Sequence, residues 1–280
     1  MNALEIKNLS KSFPGFSLDN LNLTLPSGCI MGLVGENGAG KSTTIKLVLK
    51  LLRQDGGSVT LLGRDHEKDL HLTLEDVGVV MDEVGIPACL NARQVGKIMA
   101  LTYKNWQPDV FEDCLHRFSL PTDKRFQDLS RGMKMKLGIA IALSHQSKLL
   151  LLDEATSGLD PVVRDEILDI FNDFTRQEDH SILISSHIVS DLEKICDYIA
   201  FLHKGKLLLC QEKDRLLDQY AIVRGSEEQL SALPADAVLH RKRGPYGQEA
   251  LALRRVLPEG LSFSPVSIEE LFIFMVKEAK

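Results

Sequence analysis

Two short stretches of this chain carry residues whose types and order could do chemistry. In the first, four glycines lie between Gly32 and Gly40, and a lysine and a hydroxyl, Lys41 and Ser42, follow directly. The segment from Gly35 through Asn37, Gly38, Ala39 and Gly40 to Lys41, Ser42 and Thr43 fits the pattern G-x-x-x-x-G-K-[ST]. A loop that wraps phosphates must turn its N–H groups inward, and glycine tolerates the backbone angles and the close approach this needs. Lys41 adds a full charge at the β and γ phosphates, and the Ser42 hydroxyl can ligate Mg²⁺. In the second stretch, Asp153 and Glu154 close the apolar run "LLLL". There Asp153 is placed to hold Mg²⁺, and Glu154 to orient or deprotonate an attacking water.

Behind those residues stand the elements that must position them. The alternation in 3–10 and 16–26 predicts half-buried strands, and the continuous apolar run 29–35 a strand buried on both faces. Helical spacing over 41–52 puts a helix N-terminus, with its positive end, directly behind the glycine loop. Further strands are expected at 57–63, 76–82, 148–155 and 181–187, and a hairpin around Lys204-Gly205. Residues from about 90 to 145 read as mainly helical, with breaks near Pro108 and Pro121. Asp160-Pro161 predicts a helix start, as does the pair Ser190 and Glu193. Past residue 215 the texture changes to a strand, a helix, a turn-rich linker "RKRGPYGQE" and a final helix capped by Ser267 and Glu270. Strands alternating with helices argue an α/β fold around a mostly parallel sheet.

Composition narrows the function classes. A formal net charge of −6 argues against free nucleic acid as a partner, because phosphate neutralisation calls for a basic bias. The five cysteines form no C-x-x-C pair, and the start shows no basic-then-apolar leader, so free thiols in a reducing cytosol are expected. No apolar stretch approaches the ~18 residues a membrane span needs, so a membrane function requires another chain to supply the span.

The motif order then carries a resemblance. "GENGAGKST", "LSRGM", "LLLLDE", "SGLD" and the histidine of "ISSH" stand in the sequence of Walker A, signature, Walker B, D-loop and switch histidine. Over roughly residues 3–215 the chain resembles the nucleotide-binding subunits of ABC transporters. The resemblance implies a P-loop NTPase of that type: a parallel-sheet core, an antiparallel β subdomain and a helical subdomain at about 90–145, with 216–280 as a small α/β C-terminal appendage. It implies ATP and Mg²⁺ as cofactors. Ser130 and Gly132 would contact the γ-phosphate held by an opposite subunit, Asp160 would couple the two sites, and His187 would touch the γ-phosphate. Phe13 falls where an aromatic stacks on adenine, with Phe16 the other candidate. Taken singly, Ser130 reads as a helix cap, His187 as a polar strand end and Phe13 as a core aromatic.

Three departures from the family pattern stand out. Asp82 occupies the place of a glutamine that contacts Mg²⁺, and is a further candidate metal ligand. Arg131 replaces a glycine in the signature, and Met133 a glutamine. The form "RGMKMK" resembles subunits of bacterial exporters with a separate permease. The partners implied are a second nucleotide-binding subunit, identical or related, and an integral-membrane permease that would hold this chain at the inner face of the membrane. A non-transport ABC ATPase serving as an assembly or scaffold factor is the alternative, and a small-molecule P-loop kinase a third reading that leaves "LSRGM" and "SGLD" unexplained.

Overall fold

A computed structural model describes residues 1–234, 236–244, 247–258 and 260–278. In chain order the elements are β1 (Asn2–Phe13), β2 (Phe16–Pro26), β3 (Ile30–Val34), α1 (Lys41–Val48), β4 (Gly56–Leu61), β5 (Arg64–Asp65), α2 (Leu70–Thr73) and β6 (Val77–Val80). There follow α3 (Ala92–Thr102), α4 (Pro108–Arg117), α5 (Arg131–Leu143), β7 (Leu149–Asp153), α6 (Pro161–Phe174), β8 (Ser181–Ser186), α7 (Val189–Ile195), β9 (Tyr198–His203) and β10 (Lys206–Glu212). The chain closes with α8 (Lys213–Gln219), β11 (Tyr220–Gly225), α9 (Glu227–Ser231), β12 (Val238–Gly244), β13 (Gly247–Leu253), β14 (Ser264–Pro265) and α10 (Ile268–Glu278).

The central sheet has the order β10-β9-β3-β8-β7-β6. All its neighbours pair in parallel except β10, which returns antiparallel on β9. Strands β3, β7 and β8 are buried at every residue, which is why β3 and the leucines of β7 read as continuous apolar runs, whereas β8 is interrupted by buried serines. The period of two along β7 divides its leucines between two cores. Leu150 and Leu152 join the cluster formed with α4–α7 and α10, while Leu149 and Leu151 join the one formed with α1, β1 and β2. Each such leucine contributes about 2 kcal/mol of transfer free energy. The sheet is thus covered on one side by helices and on the other by α1 and an antiparallel sheet of order β2-β1-β4-β5.

Helix starts follow their cap chemistry. Asp160 accepts from Val163 N at 3.0 Å with Pro161 in the first turn, and Asn91 and Gln94 form a reciprocal capping box at α3. The helical region is interrupted before Pro108 as expected, and Pro108 opens α4, a position where its missing N–H costs nothing.

Three expectations need correction. The helix expected over 41–52 ends at Val48, and Lys50 turns into the left-handed region at φ 57. The Ser190–Glu193 cap does not form: α7 begins at Val189, and the Glu193 carboxylate instead accepts from Ile268 N of α10 at 3.2 Å. The charged residues of "RKRGPYGQE" are not a linker but the ends of β12 and β13, which pair through Lys242 and Glu249; residues 245–246 lie outside the described set. The cap at Ser267 and Glu270 does form.

The C-terminal sheet, of order β12-β13-β11-β14, shares a hydrophobic cluster with the central sheet. Phe272 of α10 meets Phe201 of β9 edge-on, with ring centroids 5.2 Å apart. The β9–β10 hairpin turns at Lys204 and Gly205, both at positive φ (47 and 77), as a two-residue turn requires. Its tip reaches the glycine loop: Gly205 N donates to Ala39 O at 2.9 Å, and Gly205 O accepts from Asp19 N at 2.9 Å. Among the described residues no helix is long and apolar enough to cross a membrane.

Candidate nucleotide site

Strand β3 delivers the chain to the glycine loop, and α1 carries it away. Gly40, the residue before α1, sits at φ 113, a conformation open to glycine and costly to other residues. Its carbonyl accepts from both Thr44 N and Thr44 Oγ1, so the first turn of α1 is fixed immediately behind the loop. The Lys41 ammonium is buried. It donates to Gly35 O at 2.7 Å and Glu36 O at 3.3 Å, and lies 3.3 Å from Glu154 Oε1.

Strand β7 supplies the carboxylates at its C-terminal end, where ligands bind in open α/β sheets. Asp153 is only 2% exposed, and its Oδ1 accepts from Ser42 Oγ at 3.0 Å and from Ser185 Oγ at 2.6 Å. A buried carboxylate without such partners would be costly. Glu154 stands at φ 54, a strained position for a non-glycine residue of the kind that collects at functional sites. Its backbone is held by β8, with Glu154 N donating to Ser185 O at 3.1 Å. Its carboxylate is shared between Lys41 and His187, whose Nδ1 lies 2.7 Å from Glu154 Oε2. A proton on Nδ1 would donate to that oxygen and leave Nε2 as an acceptor.

These groups surround one cleft of about 670 Å³, lined by Gly15, Phe16, Asn37, Gly38, Gly40, Lys41, Ser42, Thr43, Asp82, Glu154, Ser157 and His187. Of the residues expected from the sequence, Asp153 and Ala39 lie buried behind the lining, and Gly35 at its base against Leu202 O. Phe13 does not line the cleft. It is 36% exposed and rests against Phe16 at 6.3 Å, and Phe16 is the aromatic on the cleft wall. Ser130, Gly132 and Asp160 lie elsewhere. Ser130 Oγ accepts from Met133 N at 3.3 Å as the cap of α5, and Gly132 packs near Leu159 of the loop that leads to Asp160. Asp82 does reach the cleft, but its Oδ1 accepts from Arg131 Nη2 at 2.7 Å.

Ser185 and Ser157 stand inside "ISSH" and "SGLD", yet the sequence reading gives a role only to His187 and Asp160 of those motifs. Ser185 carries a faint signal as one of three hydroxyls in a strand buried at every residue, two residues before His187. Ser157 opens "SGLD", and that motif is the signal that could have found it.

A glycine loop on a helix N-terminus, facing a hydroxyl–carboxylate pair at the C-terminal end of a parallel strand, defines a nucleoside-triphosphate-binding P-loop protein. Comparison with known proteins narrows this. The family model described as ABC transporter matches residues 18–157, half the chain. The lantibiotic transport ATP-binding protein SrtF of Streptococcus pyogenes is 37% identical over 214 residues, 75% of this chain and 91% of that one. The bacitracin transport ATP-binding protein BcrA of Enterococcus faecalis is 36% identical over 208 residues, 73% of this chain and 68% of that one. A solved ATP-binding subunit of an ABC transporter superposes with a TM-score of 0.70 at 25% identity, covering 76% of this chain and 91% of that chain. The chain belongs to the ABC transporter family, and is an ATP-binding subunit whose ATP hydrolysis powers membrane transport.

Proposed function

We propose that this chain drives an exporter whose membrane-spanning permease is a separate protein, and that it works as a pair of nucleotide-binding subunits closing face to face around ATP. The observation that carries this reading is the convergence of Lys41, Glu154 and His187 on one cleft wall, with Ser42 and Asp153 joined beside them.

In this reading the amides of 35–40 and the Lys41 ammonium hold the β and γ phosphates. Ser42 Oγ and Asp153 Oδ1, two hard oxygens 3.0 Å apart, suit Mg²⁺, which takes few protein ligands and completes its shell with phosphate and water. When bound, Mg²⁺ would neutralise part of the negative charge of the β and γ phosphates. Glu154 accepts a proton from the water whose oxygen attacks the γ-phosphorus. The bond to the β–γ bridging oxygen breaks, and ADP and phosphate leave. His187 contacts the γ-phosphate while its bond to Glu154 holds that carboxylate in place. Ser130 and Gly132, outside this chain's own cleft, serve the nucleotide of the opposite subunit, with Asp160 coupling the two. Phe16, or Phe13 beside it, stacks on adenine. Catalysis is by positioning and charge.

The partners and place follow. ABC ATPase subunits act with permeases, and the helical segment 90–145 presents a groove of about 780 Å³ between α3 and α4, walled by Gly96, Trp106, Phe111 and Leu115. Ile98 and Leu101 of α3 are exposed. A cytoplasmic segment of the permease is the occupant this reading assigns, holding the chain at the inner membrane face. The named cargoes of the relatives, bacitracin and lantibiotic, make an antimicrobial the first cargo to test. Residues 1–215 form the ATPase domain in this reading and 216–280 a small C-terminal domain, with α8 spanning the boundary.

Glu154→Gln tests the core of it. The variant retains ATP binding, loses turnover, and accumulates as a closed pair with ATP in size-exclusion chromatography. Unchanged hydrolysis refutes the role of Glu154, and a variant that binds ATP yet never pairs, even with the permease present, refutes the face-to-face reading.

A further inference from the structure

Two of the departures from the family pattern, Asp82 for glutamine and Arg131 for glycine, lie 49 positions apart in the chain and touch in space: Arg131 Nη2 donates to Asp82 Oδ1 at 2.7 Å. Asp82 is a cleft residue, just beyond the end of β6, while Arg131 is the first residue of α5, next to the capping Ser130. The guanidinium also lies against the loop after β7. A Cβ placed on Gly158 would meet Arg131 Nη1 at 3.0 Å and Cζ at 3.1 Å. One side chain therefore joins the phosphate cleft, the N-terminus of α5 and the loop that carries Ser157 and Asp160.

Charge explains why the two replacements belong together. A bare carboxylate at position 82 would sit in a cleft that already holds Glu154 and must accept phosphates. A guanidinium on it cancels that charge. Conversely, a cation at the first position of α5 opposes the positive end of the helix, and Asp82 compensates it. Each residue is unfavourable where it stands without the other.

We propose that Asp82 and Arg131 are a matched pair of positioning residues: the cleft carboxylate acts on the N-terminus of α5 through the Arg131 guanidinium, and it serves Arg131 rather than Mg²⁺. Phosphate occupancy beside Asp82 is thereby conveyed to Ser130 and Gly132. The pair does this without adding much to folding stability, because both partners are about half exposed (56% and 52%) and exposed ion pairs contribute little. The inference rests on the function proposed above for Ser130 and Gly132, but its structural half can be read without nucleotide.

The experiment is a double-substitution cycle in the full chain with Asp82→Asn, Arg131→Gln and both together. Without nucleotide, amide hydrogen exchange in the first turn of α5 speeds up about fivefold in each single variant and no further in the double, while thermal midpoints stay within about 2 °C of the parent. With ATP, each single variant lowers kcat about tenfold at a KM within about twofold, and the double is no slower than the worse single. The Mg²⁺ concentration for half-maximal hydrolysis is unchanged throughout. Unaltered exchange in α5, or additive effects on kcat, overturns the pair. A raised Mg²⁺ requirement in Asp82→Asn alone overturns the assignment of Asp82 and makes it a metal ligand. Failure of the functional reading is distinguishable, because it shows in the parent protein and in Glu154→Gln, whereas the α5 exchange result stands independently.

Discussion

Ser185 and Asp153 meet across the β7–β8 pair, the Ser185 hydroxyl donating to Asp153 Oδ1 at 2.6 Å. The same hydroxyl accepts from Glu154 N at 3.2 Å. One serine thus orients the proposed metal ligand and steadies the backbone of the proposed base.

Ser185→Ala leaves Asp153 with Ser42 as its remaining hydroxyl partner. Outer partners of metal ligands are worth about 10–100-fold. The expected result is a rise of about tenfold in the Mg²⁺ concentration needed for half-maximal ATP hydrolysis, with the fold intact by circular dichroism. An unchanged Mg²⁺ titration counts against the role given to this hydroxyl.

Phe16 lines the cleft and Phe13 does not, so the two should separate in binding. Base–aromatic stacking is worth about 1–3 kcal/mol. Phe16→Ala should weaken ATP binding at least about fivefold, and Phe13→Ala less than about threefold, by equilibrium titration with a fluorescent ATP analogue. The reverse order would hand the adenine to Phe13.

His145 sets an acid-side limit on stability. It is 1% exposed, its Nδ1 lies 2.9 Å from Glu75 O, and its ring stacks on Tyr103 with centroids 4.0 Å apart. Burial holds its pKa below the usual histidine value, and His66, also buried, is lowered for the same reason. The folded state therefore binds fewer protons than the unfolded chain. Stability from these groups is full above about pH 6.5 and is lost as pH falls from there through the depressed folded values. Urea unfolding should show stability falling as the pH drops below about 6.5, and His145→Phe should flatten that slope by up to about 1.4 kcal/mol per pH unit. Identical slopes in parent and variant would remove His145 from this account.

The C-terminal helix is part of the main core rather than a loose tail. Phe272 is 9% exposed and packs edge-on against Phe201, so Phe272→Ala should cost about 3 kcal/mol of unfolding free energy in a single cooperative transition. A separate early transition for the C-terminal residues would show instead that this part unfolds by itself.

Contiguous chemistry is legible in the sequence and chemistry assembled by the fold is not. The loop 35–43 and the pair Asp153 and Glu154 can be read directly, because a helix N-terminus and a strand end act through residues adjacent in the chain. Ser185 reaches Asp153 only through strand pairing, and Arg131 reaches Asp82 only because α5 packs beside β6, so no local pattern reveals either contact. Competition between local and distant partners explains the misread elements. The sequence Ser190-x-x-Glu193 looks like a cap, yet Ser186 Oγ takes Ile188 N at 3.0 Å and Glu193 is drawn to α10. The apolar spacing continues to Leu52 while the backbone leaves the helix at Leu49, and composition alone could not tell a linker from the charged ends of the β12–β13 hairpin.

The glycine loop is also gripped from behind, by the peptide group of Gly205. A methyl group there would lie 1.8 Å from Ser17 O, and the turn itself stands at φ 77. A hairpin tip with no reactive group is therefore as intolerant of change as the residues that cradle the triphosphate. In a saturation scan of transport activity, position 205 should score with the nucleotide-contacting residues although it never meets the nucleotide.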